Sequence, residues 1–210
     1  QCQEVNTTGL YSGLIVHTDV LKKQLTHGWK DELFLRDKVP MTKEEVREIS
    51  ICKLGLTSDS VVYDIGSGTG SVSIEIAALS QNIQVYAIEK SPVAVQLLQS
   101  NLDKFRVQNV QIVETYAPEG MKGLPIPTHV FIGGSKGRLK EILDGLHQKN
   151  HRIRIVINAV SLETICEIQD VLKNYAIANE ETIHVSISKA KQLGEYHLMK
   201  ANNPVYIVSF

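Results

Sequence analysis

The stretch SVVYDIGSGTG, residues 60–70, decides the fold of this chain. Its first six residues form a short apolar run that predicts a buried strand over 60–65, after which three glycines alternate with small polar residues. The residues that follow predict a helix over about 71–80. Glycine permits a sharp turn and close approach of a ligand to the backbone, and a helix N-terminus offers unpaired N–H groups. The stretch therefore predicts a strand, a ligand-binding turn and a helix in succession.

The same alternation continues toward the C-terminus. We predict strands over 84–88, 110–114, 129–133 and 153–157, helices from Ser91-Pro92 and over 137–148 and 161–174, and final strands near 181–188 and 204–210. Strands that alternate with helices form a parallel sheet covered on both faces. The last two strands have no helix between them, so they should pair antiparallel at one edge. The predicted fold is α/β: a doubly wound, Rossmann-like, seven-stranded and mostly parallel sheet with an antiparallel edge strand.

Two features lie upstream of the first strand. The residues TKEE (42–45) have the pattern of a capping box, in which the Thr42 hydroxyl bonds the first helical turn and Glu45 reaches back. We expect a helix from there to about Gly55. Residues 1–30 lack sustained periodicity and are predicted to be an N-terminal tail or linker, which leaves 31–210 as the domain.

Composition narrows the functional class. The chain has 210 residues, 43% of them hydrophobic and 21% charged, which is ordinary for a globular domain. A formal net charge of -1 is far from the basic excess of nucleic-acid binders, so no nucleic-acid partner is expected. No apolar run reaches about 18 residues and no secretory pattern opens the chain, so we expect a cytoplasmic protein with no membrane partner. The cysteines and histidines show no metal-ligand spacing, so no metal site is predicted.

The glycine spacing distinguishes between nucleotide ligands. A dinucleotide site requires G-x-G-x-x-G, whereas here Gly66, Gly68 and Gly70 alternate with Ser67 and Thr69, and Ser71 stands where the last glycine should fall. This pattern favours S-adenosylmethionine over a nicotinamide cofactor. Glu89, which ends the second strand, is placed to accept both ribose hydroxyls, although both cofactors would use such an acid. Asp64 is placed to attract the ammonium of the cofactor, directly or through water.

Beyond the loop, the sequence resembles the decarboxylating cobalt-precorrin-6B (precorrin-6Y) C(15)-methyltransferases of corrinoid synthesis. The resemblance covers about residues 31–210 and lies in seven segments: DELF (31–34), PMTKEEVR (40–47), DIGSGTG (64–70), APE (117–119), FIGGSKG (131–137), NAVSLE (158–163) and NPV (203–205). It is most specific in FIGGSKG and NAVSLE. One departure is that Thr115 and Tyr116 stand where the family commonly has a glycine and an acid. A tyrosine ring there could stack beside adenine.

The resemblance carries several expectations. It implies a class I S-adenosylmethionine methyltransferase fold, with Thr42, the loop from Gly66 to Gly70, Glu89 and Ala117 lining the cofactor site. It implies methyl transfer to a precorrin-6B or cobalt-precorrin-6B type intermediate with loss of an acetate carboxyl as carbon dioxide. It also implies a homotetramer, and fusion to or association with a C(5)-methyltransferase domain, of which residues 1–30 would be the junction.

An anionic corrinoid substrate would need basic and flexible groups near the fourth and fifth strands. Gly133, Gly134 and Ser135 would let a flat macrocycle approach the backbone, and Lys136 would meet its carboxylates. Other possible partners of the carboxylates are Arg138 and Lys140, beyond the fourth strand, and Lys189 and Lys191, in a late loop. Asn158 and Glu163 could contact the substrate or simply cap the helix at Ser161. No catalytic acid or base is assigned. The alternatives are a methyltransferase of the same fold acting on transfer RNA or protein, and a non-catalytic scaffold.

Overall fold

A computed structural model of the protein describes residues 26–210, which form five helices, nine strands and two short 3₁₀ turns. The helices are α1 (Glu44–Leu54), α2 (Ser71–Leu79), α3 (Pro92–Phe105), α4 (Leu139–Lys149) and α5 (Leu162–Leu172). The first five strands are β1 (Val61–Ile65), β2 (Gln84–Ile88), β3 (Val110–Val113), β4 (His129–Ile132) and β5 (Arg154–Ala159). They are followed by β6 (Glu181–Val185), β7 (Ser188–Leu193), β8 (Tyr196–Ala201) and β9 (Val205–Ser209). The 3₁₀ turns are Asp31–Leu33 and Glu119–Met121.

Seven of the strands form one sheet in the order β3-β2-β1-β4-β5-β9-β6. The pairs among β1 to β5 are parallel, and β9 runs antiparallel to both β5 and β6. The predicted α/β fold is confirmed, with the refinement that the antiparallel strand lies one place in from the edge. The chain order reverses at β1, which has β2 on one side and β4 on the other. Such a reversal opens a crevice at the carboxyl ends of the strands.

Apolar clusters cover both faces of the sheet. One cluster joins inward side chains of the strands to α4 and α5, and another joins the opposite face to α1 and α2. In β1 the residues from Val62 to Ile65 are all buried. A parallel sheet covered by helices has no solvent face, which is why its strands are continuous apolar runs rather than alternating ones.

Two helices begin differently from what the sequence predicted. Lys43 is the N-cap of α1 and makes no side-chain capping bond, so the predicted capping box is wrong. Instead, Glu44 and Glu45 both pair with Lys189, at 3.1 and 2.5 Å. Helix α4 begins at Leu139 rather than 137, because Lys136 and Gly137 have φ values of 54° and 76°, in the left-handed region.

The helix start predicted at Ser91-Pro92 is confirmed, and α5 has a cap of the same kind that was not predicted. Ser91 accepts a hydrogen bond from the Ala94 N–H with Pro92 in the first turn of α3, and Ser161 accepts one from the Thr164 N–H at the start of α5. A side-chain oxygen that bonds the first free N–H groups stabilises a helix start by about 1 kcal/mol.

A two-stranded hairpin of β7 and β8 was not predicted. Lys189 and Lys191, expected in a loop, lie on β7. Every residue of both strands is exposed, so the sequence has no apolar alternation there to indicate a strand.

Most of the predicted N-terminal tail, residues 1–25, lies outside the described part of the chain, and the domain boundary at residue 31 stays a prediction. Trp29 is buried, and its ring stacks with Phe34 and lies tilted against Phe105. Among residues 26–210, no helix is both long and apolar enough to span a bilayer.

Candidate active site

Two adjoining cavities open at the carboxyl ends of β1, β2, β4 and β5. The first, of about 710 Å³, lies on the side of β2 and β3, and the second, of about 520 Å³, lies toward β5 and the base of the hairpin. Pro40, Gly66 and Gly133 line both, so the cavities meet where the loops after β1 and β4 face each other. Together they lie at the chain reversal, where ligands of open α/β sheets bind.

The glycine loop between β1 and α2 is shaped by close backbone contacts. A Cβ on Gly66, whose φ is +74°, would lie 3.0 Å from the Gly134 carbonyl oxygen. A Cβ on Gly68, whose φ is +55°, would lie 3.1 Å from the Pro40 carbonyl oxygen. Glycine is therefore required at both positions by conformation and by space, and the loop backbone borders both cavities.

Gly70 has a different role. Its φ is +77°, it is the N-cap of α2, and a Cβ there would come within 2.0 Å of Leu98 Cδ1. It does not line either cavity. This glycine lets α2 pack against α3.

Glu89 follows β2 and lines the first cavity. One carboxylate oxygen accepts a hydrogen bond from the Gly68 N–H at 3.0 Å, and the other accepts from the N–H groups of Lys90 and Ser91 at 2.9 and 2.8 Å. The acid therefore joins the glycine loop to the start of α3. A carboxylate with a solvent-facing part at this place can also accept hydroxyl groups of a ligand.

Asp64, near the end of β1, is fully buried and faces the second cavity. Its Oδ2 accepts from the Ser73 hydroxyl at 2.5 Å, whereas Oδ1 has no partner among the described residues. Burial raises the pKa of Asp64 to about 7, against the opposing effect of the hydrogen bonds from Ser73. An unpartnered carboxylate oxygen at a cavity wall can receive a cationic donor.

Two hydroxyl groups share this wall. Ser67 and Thr69 line the second cavity, and their hydroxyl oxygens are buried and have no hydrogen-bond partner within residues 26–210. A buried polar group without a partner costs about 1–3 kcal/mol, so a ligand that bonded these atoms would recover that free energy. With Asp64 they make a wall suited to the ammonium and carboxylate of an amino acid.

The remaining predicted cofactor residues also reach the cavities. Thr42 lines the second cavity, and Ala117 lines the first. Tyr116 lines the first cavity with 48% of its surface exposed, so its ring is free to contact a planar ligand.

The predicted substrate residues divide into two groups. Gly133, Gly134, Ser135 and Lys136 follow β4 and line the cavities, and Asn158, at the end of β5, lines the second and donates to Ser50 Oγ at 2.9 Å. Glu163 is exposed in the first turn of α5 and lines neither cavity. The Ser161 hydroxyl caps α5 without help from either Asn158 or Glu163.

Most of the other basic candidates are already paired. Arg138 bonds Glu119 and Glu141, and Lys140 pairs with Asp144 along α4. Arg138 lowers the pKa of Glu119 to about 2. Among the basic side chains proposed for carboxylate binding, only Lys136 lines a cavity without an ion pair in the described chain.

Sequence reasoning missed two groups of lining residues. Arg36, Lys38 and Pro40 precede α1, and Asn202 and Asn203 follow the hairpin. Pro40 and Asn203 gave a signal only through the family resemblance, in the segments PMTKEEVR and NPV, and Arg36, Lys38 and Asn202 gave none. No group of three metal-ligating side chains is present in residues 26–210.

Comparison with known proteins identifies relatives of this chain. The family model described as "Precorrin methyltransferase domain" matches residues 32–210. The cobalt-precorrin-6B C(15)-methyltransferase (decarboxylating) of Salmonella typhimurium is 37% identical over 182 residues, covering 86% of this chain and 94% of that protein.

Two solved structures are similar to this chain in fold as well as in sequence. The precorrin-6Y C5,15-methyltransferase of Geobacter metallireducens is 40% identical with a TM-score of 0.82, covering 87% of this chain and 97% of that one. The precorrin 8W decarboxylase of Methanobacterium thermoautotrophicum is 30% identical with a TM-score of 0.80, covering 86% and 98%. By sequence and by fold, this chain belongs to the precorrin methyltransferase family.

Proposed function

We propose that this protein transfers a methyl group from S-adenosylmethionine to carbon 15 of a precorrin-6B or cobalt-precorrin-6B type substrate, with loss of an acetate carboxyl as carbon dioxide. The observation that carries the proposal is the meeting of two cavities at the glycine loop. One cavity is bordered by an acid suited to a ribose, and the other by unpartnered polar atoms suited to an amino acid. The names of the relatives supply the substrate and the reaction.

The described residues divide the work of holding the cofactor. Glu89 would accept the ribose hydroxyls, Tyr116 and Ala117 would border the adenine, and Asp64 would receive the ammonium. Once bound, S-adenosylmethionine supplies an electrophilic methyl group on a sulfonium. Ionised Asp64 is favoured beside a cation, which offsets the burial that raises its pKa.

The substrate would approach from the side of β4 and β5. Gly133 and Gly134 are exposed and present backbone without side chains, and Lys136 offers a cation to a carboxylate. Methyl transfer needs the nucleophilic carbon aligned opposite the departing sulfur, so positioning and exclusion of water supply much of the catalysis. Loss of carbon dioxide leaves an electron pair that the conjugated ring can delocalise. No residue of the chain is assigned as an acid or a base.

The test is incubation with precorrin-6B or cobalt-precorrin-6B and S-adenosylmethionine labelled in the methyl group. We expect a labelled corrinoid together with released carbon dioxide. Comparison of the two substrates decides whether cobalt is present at this step. Label transferred to transfer RNA or protein in place of the corrinoid would favour the alternative enzyme, and absence of calorimetric heat with S-adenosylmethionine would favour a non-catalytic scaffold.

Assembly and location are further parts of the proposal. We propose a cytoplasmic homotetramer that acts with a C(5)-methyltransferase domain, as the family resemblance implies. Light scattering should give a mass four times that of one chain, and a monomer at micromolar concentration would contradict it.

A further inference from the structure

A segment that precedes α1, residues 34–41, crosses the place where the two cavities meet; we call it the strap. Phe34 at one end is buried, and Met41 at the other end packs against the same apolar cluster. Between them, Arg36 lines the second cavity, Lys38 lines the first, and Pro40 lines both. The strap is therefore attached at its ends and forms part of the cavity wall along its middle.

One side chain joins the strap to the glycine loop. Asn101 of α3 is fully buried, and its Oδ1 accepts a hydrogen bond from the Leu35 N–H at 2.8 Å. Its Nδ2 donates to the Leu35 carbonyl at 2.8 Å and to the Thr69 carbonyl at 2.9 Å. A single amide thus bonds both backbone groups of a strap residue and a carbonyl of the loop that borders the cavities.

The chain is also held directly after the strap, at Thr42. The buried guanidinium of Arg47 donates to the carbonyls of Thr42 and Trp29, each at 2.5 Å, on either side of the strap. Between the two attachments, the Pro40 carbonyl lies so close to Gly68 that a Cβ there would be 3.1 Å away. Because strap and loop are in contact, movement of the strap would change the cavity walls.

We propose that Asn101 is a positioning residue that holds the strap against the glycine loop and thereby sets the affinity for the cofactor. Asn101 lines neither cavity, so it acts through Leu35 and Thr69 rather than by contact with the ligand. Without the amide, Phe34 and Met41 keep their apolar contacts, while Leu35 loses its bonds to α3, and the chain that leads from it to Pro40 loses its link to the glycine loop. The identity of the ligand rests on the proposed function, whereas the attachment of the strap does not.

The chain offers a matched control. Asn109 also has an amide Nδ2 that donates to three carbonyls, those of Ala77, Ser80 and Ile83, at 2.9–3.0 Å. It precedes β3 and lines neither cavity, and none of these three hydrogen bonds goes to the strap. Asn101→Ala and Asn109→Ala therefore remove three hydrogen bonds each, one set at the strap and one elsewhere.

The first measurement needs no ligand. Limited trypsin digestion, followed by mass spectrometry, gives the rate of cleavage between Lys38 and Val39. We expect Asn101→Ala to raise this rate about tenfold or more over wild type, since each lost hydrogen bond shifts a local equilibrium by about fivefold. Asn109→Ala should leave the cleavage rate within about twofold of the wild-type rate, when the proteins are compared under conditions in which the same fraction of each is folded. Equal rates in the two variants would overturn the proposal.

The second measurement is titration calorimetry with S-adenosylhomocysteine. We expect the Kd to rise about tenfold or more in Asn101→Ala and to stay near the wild-type value in Asn109→Ala. An unchanged Kd in Asn101→Ala would overturn the role in affinity. If the wild-type protein itself gives no heat, the proposed function fails, and the trypsin rates still decide whether Asn101 holds the strap.

A conservative variant covers the case in which Asn101→Ala does not fold. Asn101→Asp keeps the acceptor for the Leu35 N–H and loses both donated bonds, so it should raise the cleavage rate and the Kd in the same direction. A wild-type Kd and cleavage rate in a folded Asn101→Asp would show that the donated bonds do not hold the strap.

Discussion

Glu89→Ala tests the cofactor assignment most directly. The carboxylate accepts three backbone N–H groups, of which those of Lys90 and Ser91 are exposed and can be rehydrated at little cost. The bond to Gly68, at 3.0 Å, orders the loop, and its loss should lower the free energy of unfolding by about 1 kcal/mol. The ribose hydroxyls would lose their charged acceptor as well. We expect binding of S-adenosylmethionine to weaken by about 1–3 kcal/mol, or about 5- to 150-fold in Kd.

Glu114→Ala is the matched control for this change. Glu114 follows β3 directly, as Glu89 follows β2, but it is exposed and lines neither cavity. Calorimetry on the two variants and wild type, at one salt concentration, should show a weakened Kd for Glu89→Ala alone. If the two variants bound S-adenosylmethionine with equal affinity, this would refute the role of Glu89 in binding the ribose. It would also refute the inference of that role from the position of Glu89 after β2.

Three further predictions concern stability. Gly70→Ala should lower the free energy of unfolding by about 1–3 kcal/mol more than Gly137→Ala in chemical denaturation, because both have φ near +76° but only at Gly70 would the new Cβ meet Leu98. Arg47→Met should cost about 3–5 kcal/mol by the same assay, since the fully buried carboxylate of Glu75 would lose its cation and keep only backbone N–H donors. A change below about 1 kcal/mol would contradict this. Burial raises the pKa of Asp64 from 3.8 to about 7, so the folded chain keeps a proton that the unfolded chain loses in this range. The free energy of unfolding should therefore fall as pH rises from about 4 to 7, and Asp64→Asn should remove that part of the slope.

Local sequence signals were sufficient for the alternation of strands and helices. A buried parallel strand must be apolar on both faces, so the run from Val61 to Ile65 is visible without tertiary information. The glycine loop is equally local, because its φ values require glycine wherever the chain goes next. The cap at Ser91 depends on neighbouring residues only.

The errors arose where a distant partner decides the structure. Glu45 has the spacing of a capping residue, but it pairs with Lys189 of the hairpin, 144 residues along the chain and invisible to a local pattern. The hairpin itself has no buried face, so its strands lack the alternation that indicates a strand.

The sequence by itself determined the order of the elements of the main sheet, the glycine turn and the acid that follows the second strand, because each follows from residues adjacent in the chain. Only the tertiary structure decided that Asp64 keeps an unpartnered oxygen at a cavity wall, and that Asn101 joins Leu35 to Thr69. These properties depend on which groups meet across the fold and on how much water reaches them. Neither burial nor a hydrogen bond between residues 66 positions apart is written in any local pattern.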